Sequence, residues 1–370
     1  MAQIYKFSNL PKDQKHTQAA EVLKEALIRN AGVYIKLGQL MATLEILVPK
    51  EYIAVLRSMY QHAPKSSIEE ITNTIETDLN CKLSEIFLEF DPKPLKSGSI
   101  AQVHKAKLKT TGETVAVKVQ HQWLRESLPV DIKLTEFFVI AAEALFPEDF
   151  KFRWLLYDLK KDLPKELNFK NEAINSQNLE KCFKSDPKIK IPSIHNEYLS
   201  ERVMVQEFMD NIVNIDQKDE LIQNDYNLKE VSRLLSDCFC KQIFHYGIIH
   251  GDPHSGNIFV RKNSKDLTQL VILDHGIYKY LSDELRLNYS MLWNGLILQD
   301  EKLIKEASER MGAGKRYHLF AAMVSRRPWI HIMRKDNGDV KSRLGVGKGE
   351  SQNKQAKDNA LKWKNQIAGI

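Results

Sequence analysis

Residues 99–120 read SIAQVHKAKLK, TTGE, then TVAVKVQ. Two runs rich in β-branched residues flank a polar, glycine-containing tetrapeptide, which is the pattern of an antiparallel hairpin. Strand alternation puts Val115, Val117 and Val119 on one face and Ala116 and Lys118 on the other. A face made of valines must be covered, so this hairpin commits the chain to a packed sheet rather than a bundle of helices alone. Lys118 stands in mid-strand and needs an anionic partner or solvent. Taken by itself it reads as an edge-strand lysine facing water.

The segments around the hairpin are mostly helical in pattern. Ala20, Val22, Leu23, Ala26 and Leu27 recur at helical spacing, as do Tyr34, Leu37, Leu40, Met41 and Leu44. Pro49 opens a further helix, where its missing N–H costs nothing. Ser66 or Ser67, three residues before Glu69 or Glu70, forms a capping-box pattern ahead of Ile68, Ile71, Ile75 and Leu79. Helical patterns return over about 129–181, with Pro164 expected at a break or a helix start. Residues 189–209 read as two short strands, 227–244 as a helix, and NIFVR with QLVILDHG as a second hairpin-like pair. More helix follows to about 324. The order helices, hairpin, helices, strands, helices predicts an α+β protein with a small sheet-containing lobe and a large helical lobe.

Composition narrows the function classes. The formal net charge is +6, but residues 341–370 carry seven Lys or Arg against two acidic residues, so the remainder is close to neutral. A near-neutral body argues against a nucleic-acid groove, and the basic end reads as a solvated, disordered tail. The cysteines Cys81, Cys182, Cys238 and Cys240 have no metal-ligand spacing and suggest no disulfide framework, so a reducing compartment is expected. The N-terminus has neither an apolar signal core nor an Arg-rich amphipathic stretch. The run from Phe137 to Phe146 is well short of the ~20 apolar residues a bilayer span needs, so the chain as written is expected to be soluble.

Four motifs follow one another in an order with a single chemical meaning. Ser97, Gly98 and Ser99 form a small-residue turn that lets backbone N–H groups approach phosphate. VAVK places Lys118 on the next strand. HGDPHSGN sets Asp252 five residues before Asn257, with Pro253 stiffening the backbone and Gly256 permitting a tight return. That spacing suits a carboxylate beside an attacking hydroxyl and an amide oxygen on Mg²⁺. LVILDHG ends a strand on Asp274, where a carboxylate followed by glycine can hold a metal. Each motif is weak alone. In sequence they match a kinase signature set, pointing to ATP and Mg²⁺, with Lys118 on the α- and β-phosphates and Asn257 and Asp274 on metal.

Three further segments carry a resemblance to a known group. KLGQ (Lys36 to Gln39), SIAQVH (Ser99 to His104) and ELNFKNEA (Glu166 to Ala173) resemble the KxGQ motif, the phosphate-loop substitute and the ExD segment of the aarF/UbiB family of atypical protein-kinase-like enzymes. VAVKVQH, DHGIY and RLNY resemble its mitochondrial kinase-one subgroup in particular. The similarity spans about residues 30–325. It implies a protein-kinase-like two-lobe fold: a helical extension over 1–90 carrying KLGQ, an antiparallel-sheet N-lobe over 91–209, a helical C-lobe over 210–330 and the basic tail over 331–370.

The same resemblance implies roles. Lys118 and Glu172 correspond to the Lys–Glu ion pair of an active kinase lobe, and Asp252 to the loop aspartate. Asn257 and Asp274 correspond to the metal ligands. Lys36 and Gln39 lie on a helical insert that folds over the active site and restricts protein substrates, with Glu166 as its carboxylate partner. Backbone groups of Glu207 and Met209 would contact the adenine. Two positions depart from the family pattern: Asn168 stands where the ExD motif has its second acid, and Lys96-Ser97-Gly98-Ser99 replaces an alanine run. The family also continues past Trp329 and, in this subgroup, begins with a targeting and membrane-spanning segment, so the chain reads as truncated at both ends.

The expected function is an atypical kinase or ATPase in mitochondrial lipid or membrane homeostasis, with nucleotide and a lipid or membrane surface as partners. An alternative is a catalytically weak, nucleotide-dependent regulator or scaffold of lipid or quinone metabolism. A small-molecule phosphotransferase shares the loop at 250–257 but gives no reason for KLGQ or SIAQVH.

Overall fold

The computed structural model describes residues 10–44, 48–61, 65–145 and 153–333; the basic segment 341–370 and the end of the 137–146 apolar run lie outside the described residues. The chain resolves into two compact units, Met1–Leu234 with Asp252–Tyr278, and Leu235–Gly251 with Lys279–Ile370.

The first unit begins with helices α1 (Lys12–Asn30), α2 (Gly32–Thr43) and α3 (Lys50–Arg57), the last starting after Pro49 as expected. Helix α2 carries KLGQ and is apolar almost all round, as a helix enclosed on several sides must be. Its Tyr34, Ile35 and Ala42 pack with Leu27, Leu56 and Met59, while Val33 joins a second core containing Leu124 and Leu163. Gly38 is glycine for space: a Cβ there would lie 2.5 Å from the Met59 sulfur and 3.0 Å from Leu27. Helix α4 (Ile68–Leu79) starts at Ser67 with a complete capping box to Glu70, and a short α5 (Leu83–Ile86) follows.

The expected hairpin is β3 (Ala101–Leu108) against β4 (Thr114–Gln120), within a six-stranded antiparallel sheet. Its path runs from β1 (Phe87–Phe90) through β3 and β4 to β7 (Val203–Glu207) and β6 (Ile194–Leu199), with β2 (Lys96–Ser97) paired on β3. Strand β4 is therefore central, not an edge. Val115, Val117 and Val119 are fully buried against Ile71 and Ile75 of α4, each worth roughly 1.5–3 kcal/mol in removed apolar surface. The opposite face, where Lys118 is in register with Met204, is covered by Phe169 and Ala173.

Helices α6 (Leu124–Leu145), α7 (Arg153–Glu166) and α8 (Phe169–Phe183) lie between β4 and the later strands. The break expected at Pro164 does not occur. Pro164 sits inside α7, near its end, and Leu159, Leu163 and Leu167 hold that turn in the core. Residues 189–209 form three strands rather than two. Pro192 separates β5 (Ile189–Lys190) from β6, and β5 joins a second sheet instead. That sheet runs in the order β5, β11 (Thr268–Ile272), β10 (Ile258–Lys262), β8 (Val213–Asn214). Between β8 and β10 the chain forms α9 (Lys218–Gln223), α10 (Leu228–Cys240) and β9 (Ile248–His250).

The second unit is mainly helical. After β12 (Tyr278–Tyr280), helices α11 (Asp283–Leu298), α12 (Glu301–Arg310), α13 (Tyr317–Ser325) and α14 (Trp329–Ile332) follow in turn. They bury Leu292, Ile304, Ala307, Ala321, Ala322 and Ile332. No helix among the described residues is long and apolar enough to cross a membrane.

One charged clamp ties α4 to the turn between β6 and β7. Asp78 accepts from Ser200 Oγ (2.8 Å), Arg202 Nε (2.8 Å) and the Arg202 backbone N–H (3.2 Å). Burial alone would raise the Asp78 pKa, but these donors outweigh it and hold it below its ordinary 3.8. A depressed carboxylate contributes stability that is present above its unfolded-state pKa and lost as pH falls through the folded value. Asp78→Asn should therefore cost about 1–3 kcal/mol at neutral pH, and its urea midpoint should fall less than the wild type's between pH 6 and pH 3. Parallel acid limbs would refute the clamp.

Candidate active site

Every residue discussed below belongs to the first unit. Lys118 projects from central strand β4, and its ammonium meets both carboxylate oxygens of Glu172 on α8, at 2.7 and 2.8 Å. The Lys118 and Glu172 side chains are only 11% and 2% exposed. Asp274 Oδ1 lies 3.8 Å from the same ammonium. Burial works against the Lys118 charge, yet the carboxylates of Asp274 and Glu172 outweigh it and hold its pKa above the ordinary 10.5. Lys118 is thus a largely enclosed, ion-paired group rather than a surface lysine.

Asp274 follows strand β11 and adopts a left-handed backbone, φ 63°. Aspartate tolerates this conformation better than most residues do. The segment after it is held by α8: the His275 N–H points at Glu172 (3.4 Å) and Asn175 Nδ2 donates to the His275 carbonyl (2.9 Å). Asn257 immediately precedes strand β10, whose Ile258 pairs with Ile272 of β11. The Leu273 N–H donates to the Asn257 carbonyl at 2.9 Å. One end of the β10–β11 hairpin therefore presents both Asn257 and Asp274.

Lys36 on α2 reaches Glu166 (2.7 Å) and Asp252 (3.5 Å). Burial opposes its charge, but Glu166, Asp252 and, more weakly, Asp274 hold its pKa above the ordinary range. Gln39, one turn further along α2, is half-buried. Asn168 has a local task, since its side chain caps α8 by accepting from the Lys170 N–H at 3.0 Å. At this position an amide serves as well as a carboxylate.

In the phosphate-loop segment, the Gly98 N–H donates to the Ala101 carbonyl (2.8 Å), and the His121 ring reaches the Gly98 carbonyl (3.2 Å). Ser97 is half-buried and Ser99 buried. The Glu207 N–H donates to the Ser193 carbonyl (2.9 Å), its carboxylate accepts from Lys190 (2.6 Å) and Ser193, and Met209 beyond β7 is buried.

Two groups that the motifs did not single out complete the cluster. Lys96 on β2 donates to the Gly256 carbonyl (2.8 Å) and to Asn257 Oδ1 (3.3 Å). The residue is exposed, yet desolvation of its ammonium at this contact pushes its pKa down, with Asp274 pulling it up and Lys118 pushing it down. His254 Nε2 meets Asn257 Nδ2, an amide nitrogen that can only donate, at 3.1 Å, and burial holds the His254 pKa below 6.5 despite Asp252. Its ring also explains Gly256, where a Cβ would lie 2.8 Å from His254 Cε1. The signal for Lys96 was present in the sequence, as the first residue of the Lys96-Ser97-Gly98-Ser99 segment.

The oxygens of Asp274 and Asn257 are hard donors of the kind Mg²⁺ takes. The Asp274 side chain is 47% exposed and so open to a ligand. Among the described residues no group of three His, Cys, Asp or Glu could hold a metal. An ion here would draw its remaining ligands from phosphate and water, the usual arrangement for Mg²⁺ with a nucleotide. The residues fit the group.

A sheet with a buried central-strand lysine paired to a helix glutamate, together with a separate helical unit, places the chain among kinase-like folds. The fold is similar to a solved structure, the erythromycin complex of Rv3197 from Mycobacterium tuberculosis. That match has a TM-score of 0.54 and 24% identity, covering 79% of this chain and 73% of the other. The ABC1 atypical kinase-like domain family matches residues 58–308. The chain belongs to this aarF/UbiB family of atypical kinase-like proteins. It is 40% identical over 323 residues to AarF domain-containing kinase 1 of Drosophila melanogaster and 39% over 322 residues to AarF domain-containing protein kinase 1 of Mus musculus, covering 87% of this chain in each case. The matched region spans about six tenths of those relatives, 62% and 61% of their lengths.

The ion pair can be tested by stability. Lys118→Met should cost about 3–5 kcal/mol by leaving Glu172 buried without its counter-ion. Lys118→Met/Glu172→Leu should recover most of that loss in urea unfolding. A double variant no more stable than the single would show that the pair is not what holds this region.

Proposed function

We propose that the chain is an atypical kinase or ATPase that binds ATP with Mg²⁺. The observation that carries this reading is the buried Lys118–Glu172 pair with Asp274 3.8 Å from the same ammonium. Lys118 would orient the α- and β-phosphates, Ser97, Gly98 and Ser99 would line them, and backbone groups of Glu207 and Met209 would receive the adenine. Asn257 and Asp274 would hold Mg²⁺, which when bound neutralises charge on the phosphates. Asp252 would accept the proton of an attacking hydroxyl or water.

Lys36 supports a restricted form of this activity. Its ammonium, 3.5 Å from Asp252, competes for the lone pair a hydroxyl proton would need. The Glu166 contact fixes it there. The same contact favours the second reading, a catalytically weak nucleotide-dependent regulator or scaffold. A role in mitochondrial lipid or membrane homeostasis is the one the family implies. It is supported by an exposed apolar stripe on α6, where Val130, Leu134, Phe137 and Phe138 are 57%, 43%, 64% and 60% exposed. Such a stripe suits a lipid surface or a partner.

Asp274→Asn should weaken Mg²⁺-dependent ATP binding at least tenfold, about 1.4 kcal/mol, in a fluorescence or calorimetric titration. Unchanged Mg²⁺-ATP affinity would remove the metal assignment. Lys36→Ala should raise autophosphorylation several-fold if this lysine restrains Asp252. No gain, together with undetectable ATP turnover in both proteins, would favour the regulator reading.

A further inference from the structure

Lys96 is not needed to build β2. That strand is two residues long and pairs with β3 through backbone groups, Lys96 opposite Val103 and Ser97 opposite Gln102. Among the described residues its ammonium forms no close ion pair. It is spent on two neutral oxygens, the Gly256 carbonyl at 2.8 Å and Asn257 Oδ1 at 3.3 Å. An ammonium held by a carbonyl and an amide oxygen makes contacts a small cation would also make.

The amide is set for this. His254 takes the Asn257 nitrogen at 3.1 Å, which turns the amide oxygen toward Lys96. Gly256 leaves room for the His254 ring in this position, since a Cβ there would lie 2.8 Å from its Cε1. The carbonyl of Asn257 is tied to Leu273, directly before Asp274. The oxygen Lys96 engages is therefore the side-chain oxygen that the proposed function gives to metal.

We propose that Lys96 is a protein-supplied cation that occupies the Asn257 position in the nucleotide-free protein, so that a divalent ion and this ammonium compete for one amide oxygen. The inference rests on the proposed metal role of Asn257 and Asp274. In the free protein the divalent ion binds weakly through Asp274 alone. Polyphosphate gives Lys96 a stronger acceptor, because a hydrogen bond between charged partners is roughly twice as strong as a neutral one. Its arrival draws the ammonium off Asn257 and completes the divalent site. Metal binding is thereby coupled to nucleotide binding, and the empty site stays largely free of metal.

The test measures free Mn²⁺ by electron paramagnetic resonance during titration of the nucleotide-free full chain. Lys96→Met keeps the stem and removes the charge, and it should bind Mn²⁺ at least fivefold more tightly than wild type. Lys96→Arg should stay near wild type, and adding Asn257→Ala to Lys96→Met should abolish the gain. A misfolded variant would lose affinity, so a gain cannot come from damage. Equal Mn²⁺ affinity in wild type and Lys96→Met, with Asp274→Asn abolishing binding in both, would overturn the Lys96 inference and leave the metal site standing. Mn²⁺ binding insensitive to Asp274→Asn in both backgrounds would overturn the metal reading and this inference together.

Discussion

A positive charge on the central strand of a sheet is expensive, and the first unit is organised around meeting that cost. Lys118 can remain charged under the sheet only because Glu172 meets it with two oxygens and Asp274 stands close by. Glu172 lies on α8, whose Phe169 and Ala173 also cover that face of the sheet. The same carboxylate lies near the His275 N–H, which helps place the segment after Asp274. Removing either partner would strand a buried charge, so helix, sheet and loop are bound to one geometry.

A second cationic bridge is laid over the first. Lys36 brings the KLGQ helix to Glu166 and Asp252, and Lys96 brings the β2 turn to Gly256 and Asn257. Three ammonium groups are thus shared among the carboxylates and amide oxygens of one cluster. Such a cluster is close to balanced without a ligand. A ligand that takes the Asn257 or Asp252 oxygens would compete with the lysine contacts already made there.

Much of the framework was legible because its signals are local. The hairpin, the capping box at Ser67, the helix after Pro49 and the β10–β11 pair all rest on alternation, turn chemistry or capping within a few residues. The errors came where tertiary packing overrides local preference. Pro164 stays helical because its neighbours are pinned in a core, and β5 splits from the segment read as two strands to pair in parallel with β11. Asn168 looked like a lost charge and proves to be a helix cap.

The order of the motifs by itself determined the family and the chemical kind of each site residue, because residue type and spacing are one-dimensional facts. Only the tertiary structure decided that Lys118 is buried on a central strand rather than exposed on an edge. It alone decided that Lys36 spans Glu166 and Asp252, and that Lys96 and His254 hold the two ends of the Asn257 amide. The contacts concerned join residues separated by as many as 161 positions. At such separations local propensity carries no information, and partners are chosen by the burial of charge and by the need of every buried polar group for a counterpart.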